Sequence, residues 1–160
     1  MPRILIVGYG NPLRSDDGLG WRAADLLSRS LSVPETEVEV VVRHQLTPEL
    51  ADNLKNTQTV FFIDADHAGQ PGDLTCQPVT AQPLTSPPTT VSSHHVSPAA
   101  VLALAQQLYG ANPRAFVVSL CGECFDHGTA LSASVEAGIP KLTTLVEKLA
   151  RQEAVRPGGN

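Results

Sequence analysis

Acids and imidazoles stand in this chain where its apolar runs break off. Asp16 and Asp17 sit side by side after the run Ile4–Val7 and the glycine turn Gly8-Tyr9-Gly10-Asn11-Pro12. Asp64, Asp66 and His67 follow Val60–Ile63, His44 follows a run of valines, and Glu123 follows Phe116–Leu120. His94 and His95 stand just before Ser97-Pro98. Paired acids beside an open turn suit a cation or a proton transfer. The strongest set is Asp17, Asp64 and His94: two carboxylates and one imidazole make a hard-to-borderline site for a divalent metal, with positions left open. His95 competes for the third place. The plainer explanation is that Asp16 and Asp17 cap a helix, Asp64 caps a loop and His94 caps another helix.

Other chemistries fit less well. A dinucleotide site needs a third glycine where this chain has Leu13, and two acids would repel a pyrophosphate. Cys121-Gly-Glu-Cys124 has redox or zinc spacing, but only Cys76 or His127 is at hand to complete a zinc site. Ser92 or Ser93 as a hydrolase nucleophile lacks the Gly-x-Ser-x-Gly elbow.

The elements that must position these groups alternate along the chain. Strands are expected at Ile4–Val7, stopped by Gly8, and at Val38–Val42, Val60–Ile63 and Phe116–Leu120; a short antiparallel edge strand is expected at Asp73–Val79. Helices are expected from Trp21 (with Ala24, Leu27 and Leu31 on one face), after an N-cap at Thr47, from Ser97-Pro98 to Gly110, and from Ser132 through Val135 to Leu149, with a kink or break at Pro140. Gln77–Thr90, rich in proline and threonine, reads as an exposed, mobile loop. The pattern predicts an α/β fold: a three-layer, doubly wound, mostly parallel sheet with helices on both faces. The loops after its strands gather the acids at one edge, where such sheets bind ligands.

The chain has 160 residues and a net charge of -5. This suits a single domain over 1–155, with 156–160 as a flexible tail, that buries about two-thirds or more of its surface. There is no basic run, which argues against nucleic acid and anionic membrane surfaces as partners. The first apolar run is too short for a signal peptide, and no stretch is long enough to span a bilayer. Three cysteines without an export signal point to reduced thiols in the cytoplasm.

The opening Gly8-x-Gly10-Asn11-x-Leu13-x-x-Asp16-Asp17-Gly18-x-Gly20 resembles the start of the nickel–iron hydrogenase maturation endopeptidases. Gly69-x-Pro71-Gly72 and Gly128-x-x-Leu131-Ser132-x-x-Val135 extend the likeness over nearly the whole chain. The resemblance implies an endopeptidase that removes the C-terminal extension of a hydrogenase large-subunit precursor after nickel insertion. It implies nickel, contributed by the substrate, on Asp17, Asp64 and His94, and no nucleotide. His94 is preferred over His95 because Ser92-Ser93-His94 keeps the family's distance to Val101-Leu102. Asp17 or Asp16 would activate water, with Asp64 beside them, although Asp16 also suits orienting the loop. One departure stands out: many members carry Asp-Gly-Gly-Thr after the second strand, where this chain has His44-Gln45-Leu46-Thr47. Two alternatives are a non-catalytic nickel-binding assembly chaperone and a small-molecule α/β hydrolase.

Overall fold

The computed structural model describes residues 3–82 and 96–156. The strands are β1 (Arg3–Tyr9), β2 (Glu37–Arg43), β3 (Thr59–Asp66), β4 (Leu74–Val79) and β5 (Arg114–Cys121). They form one sheet in the order β2-β1-β3-β5-β4. All neighbours are parallel except β4, which runs antiparallel to β5 at the edge. The helices are α1 (Leu19–Ser30), α2 (Leu50–Asn53), α3 (Pro98–Tyr109) and α4 (Ala133–Ala154).

Side chains alternate across a strand, so each central strand feeds two cores. Ile4, Ile6, Phe61, Ile63, Val118 and Leu120 pack with α1 and α4. Leu5, Val7, Val60, Phe62 and Ala115 pack with α2 and α3. This is the three-layer, doubly wound arrangement expected. Among the described residues, no helix is long and apolar enough to cross a membrane.

Several boundaries differ from expectation. Gly8 does not end β1: it pairs with Val42 and Ile63, and the strand runs on through Tyr9. The glycine is needed for packing, because a Cβ there would lie 2.1 Å from the carbonyl oxygen of Gly20 in α1. β3 likewise runs on through Asp66, so Asp64 is a strand residue with a fixed direction rather than a loop residue.

Thr47 caps nothing. The chain turns from Thr47 to Leu50, and α2 is a single short helix flanked by Glu49, which makes no side-chain cap bond. Gln77–Val79, where the expected edge strand and the expected proline-rich loop overlap, belongs to the strand, β4; Pro78 is tolerated because β4 is an edge strand. The remainder of that loop from residue 83, with Ser92, Ser93, His94 and His95, lies outside the described residues. α4 continues as helix through Pro140, which is exposed and has no N–H to donate to the carbonyl four residues back. Arg156, placed in the tail, makes an ion pair of 3.8 Å with Glu153.

Candidate functional site

The carboxyl ends of β1, β3 and β5 converge on the first loop. Gly10 leaves β1 with a φ of 135°, and its N–H donates to the Arg43 carbonyl at 3.1 Å. A Cβ at Gly10 would lie 2.1 Å from the backbone oxygen of Asp17, so only glycine admits this approach. Trp21 Nε1 donates to the Gly10 carbonyl at 2.9 Å and clamps the turn onto α1. The Asn11 side chain accepts from the Leu13 amide at 2.9 Å, a local turn typical of asparagine. The chain then enters a 3-10 turn, Ser15–Gly18, that carries both acids.

Successive residues of a 3-10 turn point about 120° apart. Asp16 and Asp17 therefore face different surroundings. Asp16 is fully buried. Its Oδ1 accepts from the Ser132 amide at 2.7 Å. Its Oδ2 accepts from the amides of Glu123 at 2.7 Å and Cys124 at 3.0 Å, and from Ser132 Oγ at 2.8 Å. Burial works to raise its pKa, but these donors outweigh burial and hold it below the ordinary carboxylate value. Four hydrogen bonds use the acceptor capacity of a carboxylate. Asp16 ties the first loop to the β5–α4 loop, an arrangement that suits the orienting role.

Asp17 is half-buried, and its Oδ2 accepts from the Asn11 amide at 2.7 Å. Asp64 lies near it at the end of β3. Tyr9 Oη donates to Asp64 Oδ2 at 2.9 Å, and Ser119 Oγ donates to Oδ1 at 2.6 Å. Burial pushes the Asp64 pKa up; the Ser119 and Tyr9 hydroxyls pull the other way; the charges of Asp66 and Asp17 push it up again, and the net shift is upward. Two carboxylates that repel each other in a partly desolvated corner are an arrangement that a cation relieves.

Tyr9 and Ser119 were not singled out in the sequence. The signal lay in register: Gly8 is level with Ile63, which brings Tyr9 beside Asp64, and Asp64 is level with Ser119.

The other candidates are spread more widely. Asp66 Oδ1 accepts from the amides of His67 at 2.7 Å and Ala68 at 3.2 Å, closing a turn. The exposed His67 ring stacks on Phe125 with centroids 4.0 Å apart. His44 is exposed and meets Trp21 edge-on. Glu123 contributes its amide rather than its exposed carboxylate. Cys76, Cys121 and Cys124 are free thiols. Among the described residues no three His, Cys, Asp or Glu side chains form a ready metal cluster. Of the three expected ligands, Asp17 and Asp64 lie near each other, and His94 lies outside the described residues.

No protein-family model matches the chain, and no curated protein does. Solved structures do. The chain is similar to the hydrogenase maturating endopeptidase HybD from E. coli, with 25% identity over 94% of this chain and 93% of that one and a TM-score of 0.74. It is similar to a hydrogenase 2 maturation peptidase from a Thaumarchaeota archaeon, with 25% identity over 92% and 97% of the two chains and a TM-score of 0.65. The fold is also shared with a [NiFe] hydrogenase maturation protease, HybD, from Thermococcus kodakarensis, at 24% identity over 92% and 99% and a TM-score of 0.70. The resemblance carried by the first glycine loop thus extends to the whole architecture.

Proposed function

We propose that this chain is an endopeptidase that removes the C-terminal extension of a nickel–iron hydrogenase large-subunit precursor once nickel has been inserted. One observation carries the reading. Asp17, from the first loop, and Asp64, from β3, come together at the carboxyl edge of a fold shared with the maturation endopeptidases. The donor set fits a divalent metal: two half-buried carboxylates, one of them held by two hydroxyls, at the carboxyl ends of the strands. In this reading the nickel is the precursor's own cargo, and Asp17, Asp64 and His94 hold it. Asp66 and Asp16 shape the surrounding turns.

The tethered metal would place the scissile amide beside the acids, and positioning of that kind supplies much of a hydrolytic rate. Asp17 would take a proton from water as the water oxygen bonds to the carbonyl carbon. The C–N bond then breaks and the proton passes to the leaving amine, so the acid is regenerated. The free thiols support a reducing compartment such as the cytoplasm.

The test incubates metal-stripped protein with nickel-loaded and nickel-free precursor and follows the C-terminus by mass spectrometry. Cleavage of the nickel-loaded form alone is expected. Equal cleavage of both overturns the tether, and a requirement for metal bound tightly to the enzyme points to an ordinary metalloprotease. Nickel-dependent binding without cleavage makes the chain an assembly chaperone instead.

A further inference from the structure

We propose that Tyr9 and Ser119 are positioning residues that aim the Asp64 carboxylate at the incoming nickel. This rests on the reading of Asp64 as a ligand and names two residues that the reading does not include. Tyr9, Asp64 and Ser119 stand in one row across the three central strands of the sheet, at the level set by the Gly8–Ile63 and Asp64–Ser119 pairings. Strand alternation puts all three on the face covered by α2 and α3, the face to which Leu5, Val7, Val60 and Phe62 belong. The Tyr9 ring packs against that core, so its hydroxyl is presented from a fixed place.

The carboxylate of an aspartate turns easily about its last torsion, which is broad rather than staggered. Here the two hydroxyls hold opposite oxygens, at 2.9 Å from Tyr9 and 2.6 Å from Ser119. An ionised carboxylate only accepts, so both hydroxyls must donate. Each oxygen keeps one further acceptor direction, and the plane of the carboxylate is set from both sides. A ligand oriented in advance binds metal more tightly, because the cost of ordering it has been met by the fold. Hydroxyl or carbonyl partners of metal ligands typically account for about 10–100-fold in affinity. A simpler role, satisfying a half-buried acid, would place both residues in stability alone.

The full chain is titrated with Ni2+ alone by calorimetry and by its visible absorption, and KM and kcat are measured on nickel-loaded precursor. The variants are Tyr9→Phe, which keeps the ring, Ser119→Ala, Ser119→Thr, which keeps the hydroxyl, and Asp64→Asn as reference. Tyr9→Phe and Ser119→Ala should each bind Ni2+ about 10-fold more weakly, with KM raised more than kcat is lowered and an altered Ni2+ spectrum. Ser119→Thr should return affinity toward the parent. Ni2+ affinity and KM within twofold of the parent in both Tyr9→Phe and Ser119→Ala, alongside loss in Asp64→Asn, overturn the positioning role and leave the nickel reading standing. An Asp64→Asn chain that binds Ni2+ and precursor as the parent does overturns both.

Discussion

Asp16 and Asp64, chemically identical, are driven in opposite directions by their surroundings. Asp16 has a folded-state pKa below its unfolded value of about 3.9. Its ionised form therefore stabilises the fold; that contribution is present above the unfolded pKa and is lost as pH falls through the lower folded value. Asp16→Asn should cost about 3 kcal/mol at neutral pH, because it sets an amide against donors that need an acceptor. The gap to the parent should narrow as both are unfolded in urea below pH 4, the parent losing its advantage across the window under about 3.9.

Asp64 is the reverse case. Its pKa is raised in the fold, so the ionised form works against stability above the folded value, and the penalty vanishes below the unfolded one. Asp64→Asn should therefore leave the fold at least as stable at neutral pH, with equal stability near pH 3, while processing of the nickel-loaded precursor drops by 100-fold or more on the order expected for a lost ligand. Parallel denaturation and cleavage measurements check this. Full processing by that variant removes Asp64 from the site.

At the scale of elements, the site depends on how closely α1 lies on β1. Gly8 and Gly20 face each other with no room for a methyl group on the strand side. The 3-10 turn that bears both acids is the direct continuation of α1 toward its N-terminus. Gly8→Ala should destabilise the fold by about 3 kcal/mol, the upper part of what overpacking costs. It should also displace the acids and lower processing out of proportion to the lost stability at temperatures where the chain remains folded. Circular dichroism melts alongside cleavage assays give the comparison; processing at the parental rate would show that the acids do not depend on this contact.

For the whole molecule, the proposed nickel site needs a third ligand, and the proposal assigns His94. α3 packs on the same face of the sheet as Asp64, and the segment holding His94 and His95 leads into that helix. His94→Ala should reduce processing of nickel-loaded precursor at least ~10-fold, and His95→Ala by much less, as a ligand differs from its neighbour. Single-turnover cleavage with metal-stripped protein measures both. Equal losses would mean that the spacing to Val101 does not choose between them.

The sequence alone determined the element types, the doubly wound class and the two acids at the sheet edge. Each depends on local pattern: β-branched runs make strands, glycine and proline stop or turn the chain, and the Ser97 and Ser132 side chains cap the helices that follow them. Boundaries at Gly8 and Asp64 were decided by tertiary contacts, because pairing with neighbouring strands carries a segment past its local stop. The same holds for the acids. Nothing local separates Asp16 from Asp17; the β5–α4 loop does so by surrounding Asp16 with donors from residues 123, 124 and 132. Tyr9 and Ser119 meet at Asp64 only because parallel strands far apart in the chain align at one level, and register is a property of the assembled sheet.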